Sequence, residues 1–283
     1  MTPAKSTMPS PGGEVVTVGR NRLLGALPPE DIGALAPYLA ETSTEQGAVL
    51  QEPGQPVKRI YFPCSGLVSL VGMLPEGHEI ETGVIGREGA IGLMAAMGSQ
   101  VALTRAVVQL PSLVIHAPAG RVAEVAERSR TLRALMARYA DILTAQVQQT
   151  AVCNTVHPIQ ARVCRWLLLA RDRTGSDRLA VTQEFLSGLL GVQRTTITVV
   201  SRILQNEGIV HVRRGHIQIR DPQGLERRAC GCHRAVRRLI DQVGREPMQF
   251  MAAPAVRAGF RATDASIRQA DAGCEAQGSP FEQ

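Results

Sequence analysis

Residues 181–220 read VTQEFLSGLLGVQRTTITVVSRILQNEGIVHVRRGHIQIR, and the spacing of their apolar positions decides the fold of the carboxy-terminal half. Leu186, Leu190, Val192, Ile197 and Val200 recur at helical intervals on either side of Gly191, so two short helices meeting at that glycine would share one small core. Thr182 is placed to N-cap the first helix, with Glu184 in the opening turn, where a carboxylate suits the helix dipole. Glycine at position 191 permits the positive φ of a tight turn, and Gln193 then opens a second helix running to about Asn206. Residues 209–212 and 216–220 alternate apolar and polar side chains around Arg213-Arg214-Gly215, which is the pattern of a β-hairpin with a cationic tip.

This is the spacing of a helix-turn-helix followed by a wing, and in that arrangement the first turns of the second helix enter the major groove of DNA. Arg194, Thr195, Thr198 and Val199 are then the candidate base readers. The planar fork of Arg194 can donate two hydrogen bonds to guanine O6 and N7, while a threonine can bond a base edge or touch a thymine methyl. Thr182, Gln183, Gln193, Thr196, Arg202, Arg213, Arg214 and His216 are better suited to the phosphates.

Charge is distributed accordingly. Residues 157–245 carry 16 Arg and no Lys against 7 acidic residues, whereas residues 1–156 carry 12 basic and 13 acidic ones, within a chain of 283 residues and net charge +6. Only the carboxy-terminal half therefore has an electrostatic reason to meet a polyanion. The first twenty residues lack the apolar run of a secretion signal, no apolar stretch suits a membrane span, and no lipidation motif is present, so a cytoplasmic protein without membrane partners is expected. Six scattered cysteines are too few for a disulfide framework, and reduced thiols are expected.

Upstream, residues 1–19 are rich in Pro, Gly, Ser and Thr and read as a disordered tail. Residues 20–128 begin with a short helical pattern and continue as short apolar runs, 47–50, 59–63, 66–74, 78–85, 105–109 and 113–116, separated by Gly/Pro turns; these predict a barrel or jelly-roll sandwich. Residues 129–152 contain no Gly or Pro. There Leu132, Leu135, Met136, Tyr139, Leu143 and Val147 form one stripe near heptad spacing, suited to pairing with the same helix of a second subunit. Residues 153–222 hold the DNA-binding unit, 223–243 a basic helix, and 244–283 a second tail of weak periodicity expected to be disordered.

The order of β-roll, long helix, helix-turn-helix and wing resembles the Crp/Fnr family of bacterial transcription regulators. The likeness rests on IYFPCSGLVSL (60–70), GVIGREGAIGL (83–93), and Thr182, Gly191, Arg194, Thr196 and Ile197, which match the family's Gly-x-x-Arg-x-Thr-[Ile/Val] opening of the recognition helix. The resemblance implies an α+β chain. It consists of an amino-terminal double-stranded β-helix sensor domain, a long dimerisation helix and a carboxy-terminal winged helix-turn-helix. It implies a homodimer on an inverted-repeat operator in double-stranded DNA, RNA polymerase as a further partner, a sensor domain whose small-molecule effector is of unknown identity or absent, and no catalytic activity. Gly89, Ala90 and Arg105 mark the candidate effector pocket. Cyclic-nucleotide-binding members carry Glu after the glycine, for the ribose, and an arginine at fixed distance, for the phosphate. Here position 90 is Ala and Arg105 lies too far along, so a cAMP- or other nucleotide-responsive regulator is the alternative reading. Thr195 and Val199 also replace the family's common Glu and Arg, which points to a different operator.

Two metal readings compete weakly. His78 with Glu79 and Glu81 could suggest a cupin-like metal enzyme, but strand alternation turns the acidic pair away from His78. Neither a cysteine cluster for iron and sulfur nor a firm haem ligand is visible, His78 and His116 being lone residues. Cys230-Gly231-Cys232-His233 offers at most three cramped ligands, and solvent-facing thiols are expected there, with no metal and no cofactor.

Overall fold

Short strands set off by Gly and Pro turns build the amino-terminal half. In the computed structural model, which describes residues 7–9, 15–77 and 79–243, β1 (Thr7–Pro9) pairs antiparallel with β2 (Val15–Thr17), inside the stretch expected to be a disordered tail. Helix α1 (Pro29–Leu35) starts on a proline, whose missing N–H needs no partner in a first turn. There follow β3 (Ala40–Thr44), β4 (Val49–Gln51), β5 (Arg59–Pro63), β6 (Leu67–Met73), β7 (Glu79–Ile85), β8 (Arg105–Leu110) and β9 (Ser112–Pro118). They form two antiparallel sheets in the orders β3-β9-β5 and β4-β8-β6-β7. Strands β5 to β9 lie where the apolar runs placed them. β3 is not legible in the sequence because AETST lacks alternation, and its side chains are at most half-buried.

Helix α2 (Ala119–Arg128) leads into α3 (Arg130–Val156), 27 residues long and capped by Ser129, whose Oγ accepts from Leu132 N at 3.0 Å. The apolar stripe of α3 does not wait for a partner chain. Leu132, Leu135, Met136 and Tyr139 are buried in this chain's own roll, in one core with Leu24, Phe62, Ile115 and Val122. Helical periodicity specifies a buried face without saying what covers it, and here the adjacent sheet does. Of the residues expected at a subunit interface only Leu143 and Val147 stay half-buried.

His157-Pro158 ends α3 and turns the chain into α4 (Ile159–Thr174). The remainder comprises β10 (Arg178–Leu179), α5 (Gln183–Leu190), α6 (Arg194–Asn206), β11 (Val210–Arg213), β12 (His216–Ile219), α7 (Pro222–Arg228) and α8 (Cys232–Ile240). Leu186, Leu190, Ile197 and Val200 are buried as their spacing requires, around Trp166 and Leu167 of α4. Leu67, Val84 and Leu110 of the roll enter the same core, so the two halves share buried apolar surface.

The single basic helix expected over 223–243 is two helices, broken at Ala229, whose ψ of 151° leaves the helical region. Cys230 and Cys232, expected to face solvent, are buried because that break folds α8 back onto α3. His78 and residues 244–283, with the disorder expected for the latter, lie outside the described residues. Among the described residues no helix is long and apolar enough to cross a membrane.

Candidate nucleic-acid interface

Thr182 caps α5, its Oγ1 accepting from Phe185 N at 3.1 Å. Gly191 closes the helix at φ +63°, with its N–H donating to Gly188 O at 3.2 Å. A side chain there would be strained by that φ and would also sit 3.3 Å from Ile80 of β7. Arg162 of α4 fixes the end of α5 from behind, donating to Leu190 O at 2.7 Å. Gln193 supplies no side-chain cap to α6, so the first N–H groups of that helix remain available to an external acceptor.

The solvent face of α6 presents Arg194, Thr195, Val199 and Arg202 together, beside exposed Gln193. Arg194 pairs with Glu184 at 3.1 Å, but both side chains are mostly exposed, 67% and 75%, and such a pair is weak enough to exchange for a stronger partner. Thr198 is half-buried, and its hydroxyl donates to Gln183 Oε1 at 2.9 Å, which ties a candidate base reader to a candidate phosphate contact. Thr196 is half-buried, while Thr182 stays exposed at the start of α5. One turn beyond Val199 the face continues to Ile203, 38% exposed. In sequence alone an isoleucine at helical spacing reads as core, so Ile203 carries no surface signal there.

In the wing, β11 and β12 pair antiparallel down to Arg213 opposite His216, with Gly215 at φ +80°. Arg213 and Arg214 project at the tip, and His216 is half-buried beside them. Arg213 Nε donates to His211 Nε2 at 3.0 Å. β10 adds a third strand on the β12 edge, a two-residue element that no sequence pattern announces.

The candidate effector residues are not brought together. A cavity of about 520 Å³ opens between the roll and α3, lined by Ala90, Ile91, Leu93, Tyr139, Leu143 and Val147 among others, and no lining residue is charged. Gly89 lies under the Tyr139 ring, where an added Cβ would be 2.1 Å from the phenol oxygen, and Tyr139 donates to Ala90 O at 3.2 Å. Arg105 turns away to ion pairs with Glu79 of β7 and with Glu52, just past β4, the latter at 3.2 Å, since two carboxylates attract it more than an apolar cavity does. His116 packs edge-on against Tyr61, ring centroids 6.0 Å apart, and does not line the cavity.

A buried polar hub joins the roll to the helix-turn-helix unit, and no sequence pattern announces it. Arg173 of α4 bonds Glu88 at 2.9 Å and Gln146 Oε1 at 3.0 Å, with the paired side chains 3% and 7% exposed. Gln146 of α3 donates to Val84 O at 2.8 Å. Trp166 Nε1 donates to Glu81 Oε2 at 3.2 Å, and Ser69 Oγ donates to the same oxygen. These partners lie far apart in sequence, so local pattern carries no trace of them.

Two family descriptions match the chain: a cyclic nucleotide-binding domain over residues 41–129 and a Crp-like helix-turn-helix domain over residues 161–228. No curated protein matches it. Among solved structures, a transcriptional regulator of the crp/fnr family from Eubacterium rectale is 20% identical with a TM-score of 0.60, over 76% of this chain and 99% of that one. FixK2 from Bradyrhizobium japonicum is 15% identical with a TM-score of 0.59, over 68% and 98%. A CRP-family transcriptional regulator from Thermus thermophilus is 19% identical with a TM-score of 0.57, over 66% and 96%. These likenesses establish the shared fold.

Proposed function

Because this chain belongs to the Crp/Fnr family of DNA-binding transcription regulators, we propose that it acts as a homodimer that sets α6 of each subunit into successive major grooves of an inverted-repeat operator. The observation that carries this is the joint exposure of Arg194, Thr195, Val199 and Arg202 on α6, flanked by the Arg213-Arg214 tip. Arg194 is the principal base reader, with Thr195, Thr198 and Val199 beside it. Thr182, Gln183, Gln193, Thr196, Arg202, Arg213, Arg214 and His216 hold the phosphates.

Dimerisation is assigned to what this chain leaves open on α3: Leu143 and Val147 with the exposed Ala137, Thr144 and Val152. The uncharged cavity favours an uncharged effector over a nucleotide, whose phosphate would find no cation in the lining. An effector would act by differential affinity for two arrangements of roll and DNA-binding unit. RNA polymerase as a partner and a cytoplasmic location belong to the same reading.

Selection of bound genomic fragments, followed by mobility-shift titration, tests it. Arg194→Ala is expected to weaken the selected site by about 1–3 kcal/mol and to relax preference at one base pair. Arg213→Ala with Arg214→Ala is expected to weaken all sequences alike and lower the salt slope by about two. Parent-like binding by both variants would refute this surface.

A further inference from the structure

Four side chains from two distant parts of the chain converge where the long helix ends. Cys153 and His157 stand one helical turn apart at the end of α3, and Cys230 and Cys232 flank the glycine that starts α8. Cys153 Sγ and Cys230 Sγ are 3.5 Å apart, Cys232 Sγ and His157 Nδ1 are 3.6 Å apart, and all four ligand atoms lie within 4.8 Å of one another.

A tetrahedral ion with bonds of about 2.3 Å to sulfur and about 2.0–2.1 Å to imidazole nitrogen holds its ligands roughly 3.5–3.8 Å apart. The observed separations fall in that range or a modest adjustment away from it. They are too long for a disulfide, whose sulfurs stand about 2.05 Å apart, and too short to enclose a cluster of several irons. We propose that Cys153, His157, Cys230 and Cys232 form a Cys3His site for a single zinc ion. Three thiolates with one neutral imidazole are the soft, closed donor set that selects zinc among common divalent ions.

The surroundings suit that charge. Zinc with three thiolates carries one net negative charge, and Arg165, 3% exposed with a buried Nε that has no hydrogen-bond partner, lies near enough for its field to reach Cys153. Arg162, whose Nε is likewise buried and unpartnered, feels both Cys153 and Cys230. Gln149 Nε2 donates to Cys232 Sγ at 3.1 Å, the outer-shell bond that ligating thiolates commonly receive. His233, the neighbour that sequence reading grouped with the two cysteines, is engaged elsewhere by Asp172 at 2.9 Å. The fold supplies Cys153 and His157 in its place.

On binding, the three thiols release their protons to solvent and the ion takes up the sulfur lone pairs; no bond is oxidised or reduced. The ion would fasten α8 to the His157-Pro158 hinge between α3 and α4 and so set the angle at which the DNA-binding unit leaves the long helix.

The test uses the full chain, purified under reducing conditions without chelators. Elemental analysis is expected to give one zinc per chain. Cobalt(II) added to protein stripped of metal should produce the visible bands of a tetrahedral site and the near-ultraviolet absorption of thiolate ligation. Cys232→Ser and His157→Ala should each lose zinc, whereas Cys64→Ser should keep it. Because wild-type protein alone gives the cobalt spectrum, the test does not depend on the variants folding. Metal-free protein that fails to bind cobalt, iron in place of zinc, a Cys153–Cys230 disulfide in the reduced preparation, or full zinc in Cys230→Ser with Cys232→Ser would each overturn the assignment.

Discussion

Glu81 is a carboxyl group enclosed by Ser69 and the Trp166 indole, at the seam between roll and DNA-binding unit. Burial drives its pKa above the ordinary value of 4.5, against the bonds from Ser69 and Trp166 and the fields of Arg165 and Arg173, which pull it down. A raised folded-state pKa means that the fold favours the neutral form. The stability so contributed is complete below the ordinary value and declines as pH rises through the raised one. Glu81→Gln keeps an acceptor oxygen for both donors and cannot ionise. Its melting temperature relative to the parent should therefore rise as pH is taken from 4.5 towards neutrality; parallel melting profiles would remove Glu81 from the pH response. The same residue shows the limit of local pattern, since alternation put Glu81 opposite His78 in face but could not disclose Trp166, 85 positions away.

Among the elements, α5, α6 and the wing were the most legible, because a turn glycine, a capping threonine and short-range apolar spacing specify them within forty residues. The exposed face of α6 was legible for the same reason, apart from Ile203 and the half-buried Thr198. Helix α3 was legible as a helix, whereas the burial of Leu132, Leu135, Met136 and Tyr139 in this chain's own core was not. The buried stripe of its amino-terminal half is committed to the roll, and Leu143 and Val147 with the exposed Ala137, Thr144 and Val152 are what we propose for a second subunit. Leu143→Asp with Val147→Asp is therefore expected to shift the chain from dimer to monomer in light scattering while leaving its circular dichroism near the parent's. The mirror change within the roll, Met136→Ala, should instead destabilise each chain by about 2–5 kcal/mol without changing the association state of what stays folded. If the aspartate pair leaves the dimer intact, the interface lies on another face.

In the molecule as a whole, the couplings between halves are the part that no sequence window could hold. Glu88 and Arg173 are 85 residues apart, Cys153 and Cys230 are 77 apart, and each pairing exists only once the chain has closed on itself. Arg173→Met should cost about 3–5 kcal/mol, because it leaves Glu88 buried without its cation. Adding Glu88→Gln should return much of that loss, since the uncompensated charge goes with it. Urea denaturation of the single and double variants measures the difference, and equal stabilities would mean that the pair does not act as a unit.

Leu67, Val84 and Leu110 reach from the roll into the core that surrounds Trp166, Leu186 and Ile197. An excised carboxy-terminal fragment would therefore carry a raw apolar wound where those three side chains had been, and would tend to aggregate rather than stand as an independent module. The intact chain should correspondingly lose both halves in one cooperative unfolding transition, with tryptophan fluorescence and far-ultraviolet circular dichroism falling together.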